Sequence, residues 1–155
     1  MLPKNKKQSG FTLIEILVVV GILGILLTIV LVAVNPTKNT QDARNAKRSA
    51  DVLTILNAVN QYFVATGNFP TGTPASGGAA VPIKNDDGNV ATTEADICAP
   101  IVPTYVAGLP ADPQTGSYTS CTIYNSGYTI QRTTGNRITI AAPGAEASAT
   151  ISATR

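Results

Sequence analysis

The sequence predicts an α+β protein: a long N-terminal helix, half membrane stem and half amphipathic, packed on a small antiparallel sheet. Three observations carry that expectation. An almost unbroken apolar run extends from Ile16 to Val34. A stripe at Val52, Ile55, Leu56, Val59 and Phe63 then follows the spacing of one helical face. The C-terminal third is rich in Thr, Ile and Tyr, punctuated by turn residues.

The apolar run is interrupted by Gly21, Gly24 and Thr28, none of them charged, and is long enough to cross a hydrocarbon core of about 30 Å. Lys4, Lys6 and Lys7 precede it, so the positive-inside rule keeps the leader cytoplasmic and sends the rest of the chain outward. A secretory signal peptide fits less well. The run exceeds a usual signal core, no A-x-A site precedes Asn35, and Glu15 interrupts where such a core should begin. A carboxylate at the edge of lipid is costly and needs a partner. Cleavage between Gly10 and Phe11 would create an amino group four residues from Glu15, and that cation would answer the charge.

Beyond Pro36 the helical pattern resumes, with Arg44, Lys47, Asp51, Thr54 and Gln61 largely opposite the apolar stripe and Lys47 placed to pair with Asp51. Pro36 leaves one kinked helix or two stacked segments as alternatives, and one kinked helix is favoured. Gly67 and Pro70 end the helix. Thr71 to Gly88 reads as loop, and Asp86-Asp87-Gly88-Asn89 as a solvated turn, because the spacing and terminal Glu of a calcium loop are missing. Thr92 to Ala99 predicts a short helix, and Leu109 to Pro113 a rigid turn. Strands are expected at Ser117–Tyr124, Tyr128–Thr133 and Arg137–Ala141, with turns at 124–127 and 134–136. Cys121 and Ile123 would share one face of the first strand.

The residues Gly10-Phe11-Thr12-Leu13-Ile14-Glu15, with the basic leader before them and the apolar helix after, resemble the prepilin peptidase recognition motif of type IV pilins and type II secretion pseudopilins. The block from Asp42-Ala43-Arg44 through Lys47-Arg48 to Gly67-Asn68-Phe69-Pro70 also resembles the second half of the pilin-family helix. The resemblance therefore covers about the first 70 residues. It implies cleavage after Gly10 by prepilin peptidase, N-methylation of Phe11, and pairing of Glu15 with the N-terminal amine of an adjacent subunit. One departure is visible: the helix-kinking proline of many members lies about one turn earlier than Pro36, where this chain has Val32.

The domains that follow are a leader at 1–10, a transmembrane stem at 11–35, an amphipathic half at 36–68, an outer domain at 69–141, and a flexible tail at 142–155. For an exported domain, a Cys98–Cys121 disulfide is the natural reading, with two free buried thiols as the alternative. With no His in the chain, His-based triads and metal sites are excluded, and no catalytic set, cofactor or metal site emerges. A formal net charge of +2 is too small to argue for nucleic acid by electrostatics, and Arg132 and Arg137 offer only a weak contact. Tyr118, Tyr124 and Tyr128 read as packing residues.

The expected function is a structural filament subunit, not an enzyme. It would be held in the cytoplasmic membrane before assembly, with lipid, the peptidase, an inner-membrane assembly platform and further copies of itself as partners. The finished filament would be extracellular or periplasmic. A pilus subunit competes with a pseudopilin of a secretion or DNA-uptake system. A monomeric membrane-anchored extracellular binding module is the rival from another class.

Overall fold

The computed structural model describes residues 10–86 and 93–155. Residues up to Asn39 and residues from Thr40 onward form two compact units.

In the first unit, α1 runs from Leu13 to Val34 and passes through Gly21 and Gly24 without a break. It stops at Asn35, whose backbone is left-handed at φ 41°, a conformation Asn tolerates better than most residues. The same residue begins the next helix. The Lys38 amide donates to Asn35 Oδ1 at 3.2 Å, and Pro36 takes the first helical position, where its missing N–H costs nothing. Asn39 Nδ2 donates to the Val34 carbonyl at 2.9 Å, satisfying a group that helix termination would orphan. Gly21 and Gly24 leave the helix intact, and the Asn35-Pro36 pair interrupts it.

Helix α2 spans Pro36–Thr66, and its stretch from Thr40 onward belongs to the second unit. Val52, Ile55, Leu56, Ala58 and Val59 are buried in one cluster with the inward residues of the sheet. Phe63 lies at the margin of this face and stacks on Phe69, with ring centroids 4.5 Å apart. The helix ends at Gly67, whose φ of 73° suits a left-handed cap and whose amide donates to the Phe63 carbonyl at 2.8 Å.

The sheet is antiparallel and has five strands: β1 (Val81–Asn85), β2 (Ser117–Ser120), β3 (Ile123–Arg132), β4 (Ile138–Ala141) and β5 (Ser152–Thr154). The order is β1-β3-β4-β5, and β2 pairs with the start of β3. Alternation along β3 points Tyr124, Ser126, Tyr128 and Ile130 inward, beside Ile83 of β1 and Ile138 and Ile140 of β4. A short helix α3, Cys98–Ile101, closes one side of the core.

Several expectations need correction. Residues 124–127 are not a turn but the first half of β3. Gly127 sits there because a Cβ would meet the Asp112 side chain at 2.6 Å, and its φ is 75°. The chain reverses earlier, at Cys121–Thr122, so Tyr124 turns inward and Ile123 is left exposed. The loop assigned to Thr71–Gly88 contains β1, and the short helix begins at Cys98 instead of Thr92, which lies outside the described residues. Asp87, Gly88 and Asn89 are outside them too. The segment expected to be a loose tail carries β5, which pairs along β4 from Thr139 to Ala141.

Lys47, Thr54 and Gln61 are exposed as expected, but the face of α2 that meets the sheet carries a charge as well as apolar residues. Arg48 is fully buried, and its guanidinium donates five hydrogen bonds: Nε to Asp112 Oδ2 at 2.6 Å, Nη1 to Asn45 and Glu146, and Nη2 to Asp112 and Gln114. Arg44 meets the same Glu146 carboxylate with two contacts of 2.6 Å. Asp51 accepts from Lys47 at 2.6 Å and from the Tyr128 hydroxyl at 2.8 Å. Burial opposes the charge on Asp112, yet Arg48 and the amides of Gln114 and Thr115 hold its carboxyl down to about 2. Arg44 first, then Arg48, lowers Glu146 to about 2.

Two outcomes are expected. Replacing Arg48 by Ala strands a buried carboxylate and should cost about 3–5 kcal/mol in denaturant unfolding. Both depressed carboxyls contribute stability that is complete above the ordinary carboxylate range and is lost as pH falls from about 4 toward 2. Urea midpoints measured across that window should drop steeply in the native chain and less steeply in Arg48→Ala.

Candidate functional site

The mouth of α1 is built by Thr12 and Glu15. Thr12 is the N-cap, extended at φ −80° and ψ 153°, and its hydroxyl accepts from the Glu15 amide at 3.3 Å. Glu15 reaches back, and its Oε2 accepts from the Thr12 amide at 2.8 Å and the Thr12 hydroxyl at 2.7 Å. This reciprocal capping box satisfies two helix-end donors and places a negative charge at the positive end of the helix dipole. The carboxylate is therefore held by its own chain. The signal was present in the sequence as Thr12-x-x-Glu15, and reading Glu15 only through its charge overlooked Thr12.

From Ile16 to Val34 no side chain is charged, and no residue of α1 is buried. Phe11 is 84% exposed and Leu13 83%. At about 1.5 Å per residue, the 22 residues of α1 extend about 33 Å, enough to span a bilayer core. Its one hydroxyl after the cap, on Thr28, donates to the Gly24 carbonyl at 2.9 Å and so presents no unpaired polar hydrogen to an apolar surrounding. A helix that is apolar all round needs lipid or other helices about it.

Residues 5–31 match the family model described as the prokaryotic N-terminal methylation motif. The chain carries that motif. Its part before Gly10 lies outside the described residues, whereas Phe11, Thr12 and Glu15 fall in the stretch whose geometry is given above. The motif-bearing chain is also similar to the type II secretion system core protein G of Aeromonas hydrophila, 38% identical over 68 residues, covering 44% of this chain and 46% of that protein. The protein of the same name from Vibrio cholerae serotype O1 is 34% identical over 68 residues, covering 44% of this chain and 45% of that one. The chain thus spans about half the length of the curated relatives it matches. No solved structure is significantly similar.

The motif residues gather at one helix mouth, whereas the two cysteines lie in the second unit. Cys98 and Cys121 are joined as a disulfide, with Cα atoms 5.2 Å apart, tying α3 to the reversal between β2 and β3. Tyr124 and Tyr128 are fully buried and cannot form an outward binding surface. The Ser126 hydroxyl donates to the Ile83 carbonyl at 2.7 Å. Among the described residues, no group of three or more Cys, Asp or Glu is placed to hold a metal, and Asp86 is paired with Lys84 at 3.1 Å.

The bridge closes a sequence separation of 23 residues. Replacing both Cys98 and Cys121 by Ala should lower unfolding stability by about 3 kcal/mol in the loop-entropy estimate. Urea unfolding of the double variant against the oxidised native chain measures it, and an unchanged midpoint would remove the bridge from the list of stabilising links.

Proposed function

We propose that the protein is a structural subunit of a type IV pilus-like filament, made as a membrane-anchored prepilin. The observation that carries this reading is the coincidence of the methylation motif with an uncovered, membrane-length helix whose mouth holds a fixed carboxylate. In this proposal prepilin peptidase cuts between Gly10 and Phe11 on the cytoplasmic face, and the new Phe11 amine is methylated. Lipid surrounds α1 before assembly, an inner-membrane platform draws subunits together, and α1 helices then replace lipid contacts with contacts to one another.

Glu15 supplies register in this scheme. Cutting converts the Phe11 amide nitrogen into an ammonium group next to Thr12. Thr12 already holds the Glu15 carboxylate toward that end of the helix, so the amine of the same or a neighbouring subunit meets a preoriented partner. Both charges are thereby neutralised, and the helix mouth can enter an apolar filament core at lower cost. No catalytic step belongs to the chain itself in this reading.

A second reading is favoured by one specific observation. Both relatives are named as core protein G of a type II secretion system, which supports a pseudopilin that builds a short secretion filament instead of a surface pilus.

Mass spectrometry of the mature protein tests the proposal. A chain beginning at methylated Phe11 is expected, and an intact Met1 would sink it. Replacing Glu15 by Ala should leave membrane insertion intact and cut filament yield at least about tenfold, as judged by electron microscopy of sheared material. Native yield from that variant would defeat the role given to Glu15.

A further inference from the structure

One end of the second unit gathers a polar cleft of about 480 Å³ between the exit from α2 and the β3–β4 turn. Phe63, Phe69 and Arg132 form an ordered stack at its wall. The two rings lie 4.5 Å apart at an interplanar angle of 23°, and the Arg132 guanidinium lies 4.5 Å above the Phe69 centroid. Asn136 locks that guanidinium by accepting from Nε at 3.2 Å and from Nη2 at 3.0 Å. Side-chain amides and hydroxyls of Asn68, Asn136 and Thr71 complete the lining.

The charge environment here is unusual. No charged residue occurs between Asp51 and Lys84, and from Pro113 to Ala145 the only charges are Arg132 and Arg137. Neither arginine has a carboxylate partner among the described residues. A guanidinium held flat by an aromatic face and an amide, with its Nη1 hydrogens unspent, has already lost the rotamer freedom that binding would otherwise cost. Its free donors match a carboxylate in geometry.

We propose that this cleft is a binding subsite for an acidic saccharide of the uronate type. The sugar carboxylate takes the free edge of Arg132, and its hydroxyls exchange hydrogen bonds with Asn68, Thr71 and Asn136. A single-stranded nucleic acid fits less well for two reasons. Phe69 already carries the Phe63 ring and the Arg132 guanidinium, each 4.5 Å from its centroid, which crowds the stacking surface a base would need. The unit from Thr40 onward also carries seven basic against eight acidic side chains, which gives a phosphate backbone no general attraction.

The test titrates the full chain in detergent micelles with a galacturonate trimer, with a neutral maltose-series trimer, and with an oligothymidine of similar length. Saturable binding of the galacturonate trimer is expected, with NMR shifts at the Asn68 and Asn136 side-chain amides and at Arg132 Nε–H. The neutral trimer should bind at least about tenfold more weakly, and Arg132→Gln should lose at least about tenfold in affinity for the acidic one. Asn136→Ala keeps the charge but frees the guanidinium, and should weaken binding by a smaller factor. The shift map of the native chain decides the matter even if a variant fails to fold. Absence of saturable binding up to about 10 mM, shifts mapping elsewhere, equal binding of the neutral trimer, or tighter binding of the oligothymidine would each overturn the proposal.

Discussion

The second unit is organised around one buried cation. Arg48 projects from α2 into a place without solvent, and all five of its guanidinium hydrogens find acceptors. A charge so placed costs several kcal/mol when unpaired, so the segments that supply its partners are held to fixed positions. Asp112 brings the turn before β2, Gln114 extends the same turn, and Glu146 brings the chain after β4. Apolar packing of α2 on the sheet sets the general arrangement, and Arg48 selects one version of it.

Each partner passes the constraint on. Asp112 Oδ1 also accepts from the amides of Gln114 and Thr115, which fixes the turn, and the Asp112 side chain in turn requires Gly127 opposite it. Glu146 is held at both ends: its carboxylate meets Arg44 and Arg48, while Asn45 exchanges hydrogen bonds of 2.9 and 3.0 Å with its backbone. The last strand follows from that anchorage. With Glu146 fixed, Ser152–Thr154 need only complete their pairing on β4.

What the sequence revealed follows the range of the interactions involved. The length of the apolar run located α1, and periodicity located α2 and its inner face, because residues three and four apart decide it. The Asn35-Pro36 break and the Gly67 cap were legible for the same reason. The role of Arg48 was not, since its partners stand 64 and 98 positions away; its spacing to Val52, Ile55 and Val59 puts it in line with the buried face, but says nothing of which acceptors meet it there. Gly127 misled in a related way. Beside Asn125 and Ser126 it reads as a turn, and only the approach of Asp112 explains a glycine inside a strand. At the candidate site, Glu15 stood out by its charge in an apolar setting, while Thr12 escaped notice although its contact is local.

The Arg48 cluster also imposes an order of events during synthesis. Helix α2 emerges from the ribosome well before Glu146 and β5, so Arg48 must wait through about 100 further residues for its last partner. Until then the guanidinium is better left in water than buried, and the second unit has no reason to close early. Placing the completing carboxylate 98 positions after its guanidinium makes closure of the second unit depend on nearly the whole of its own length.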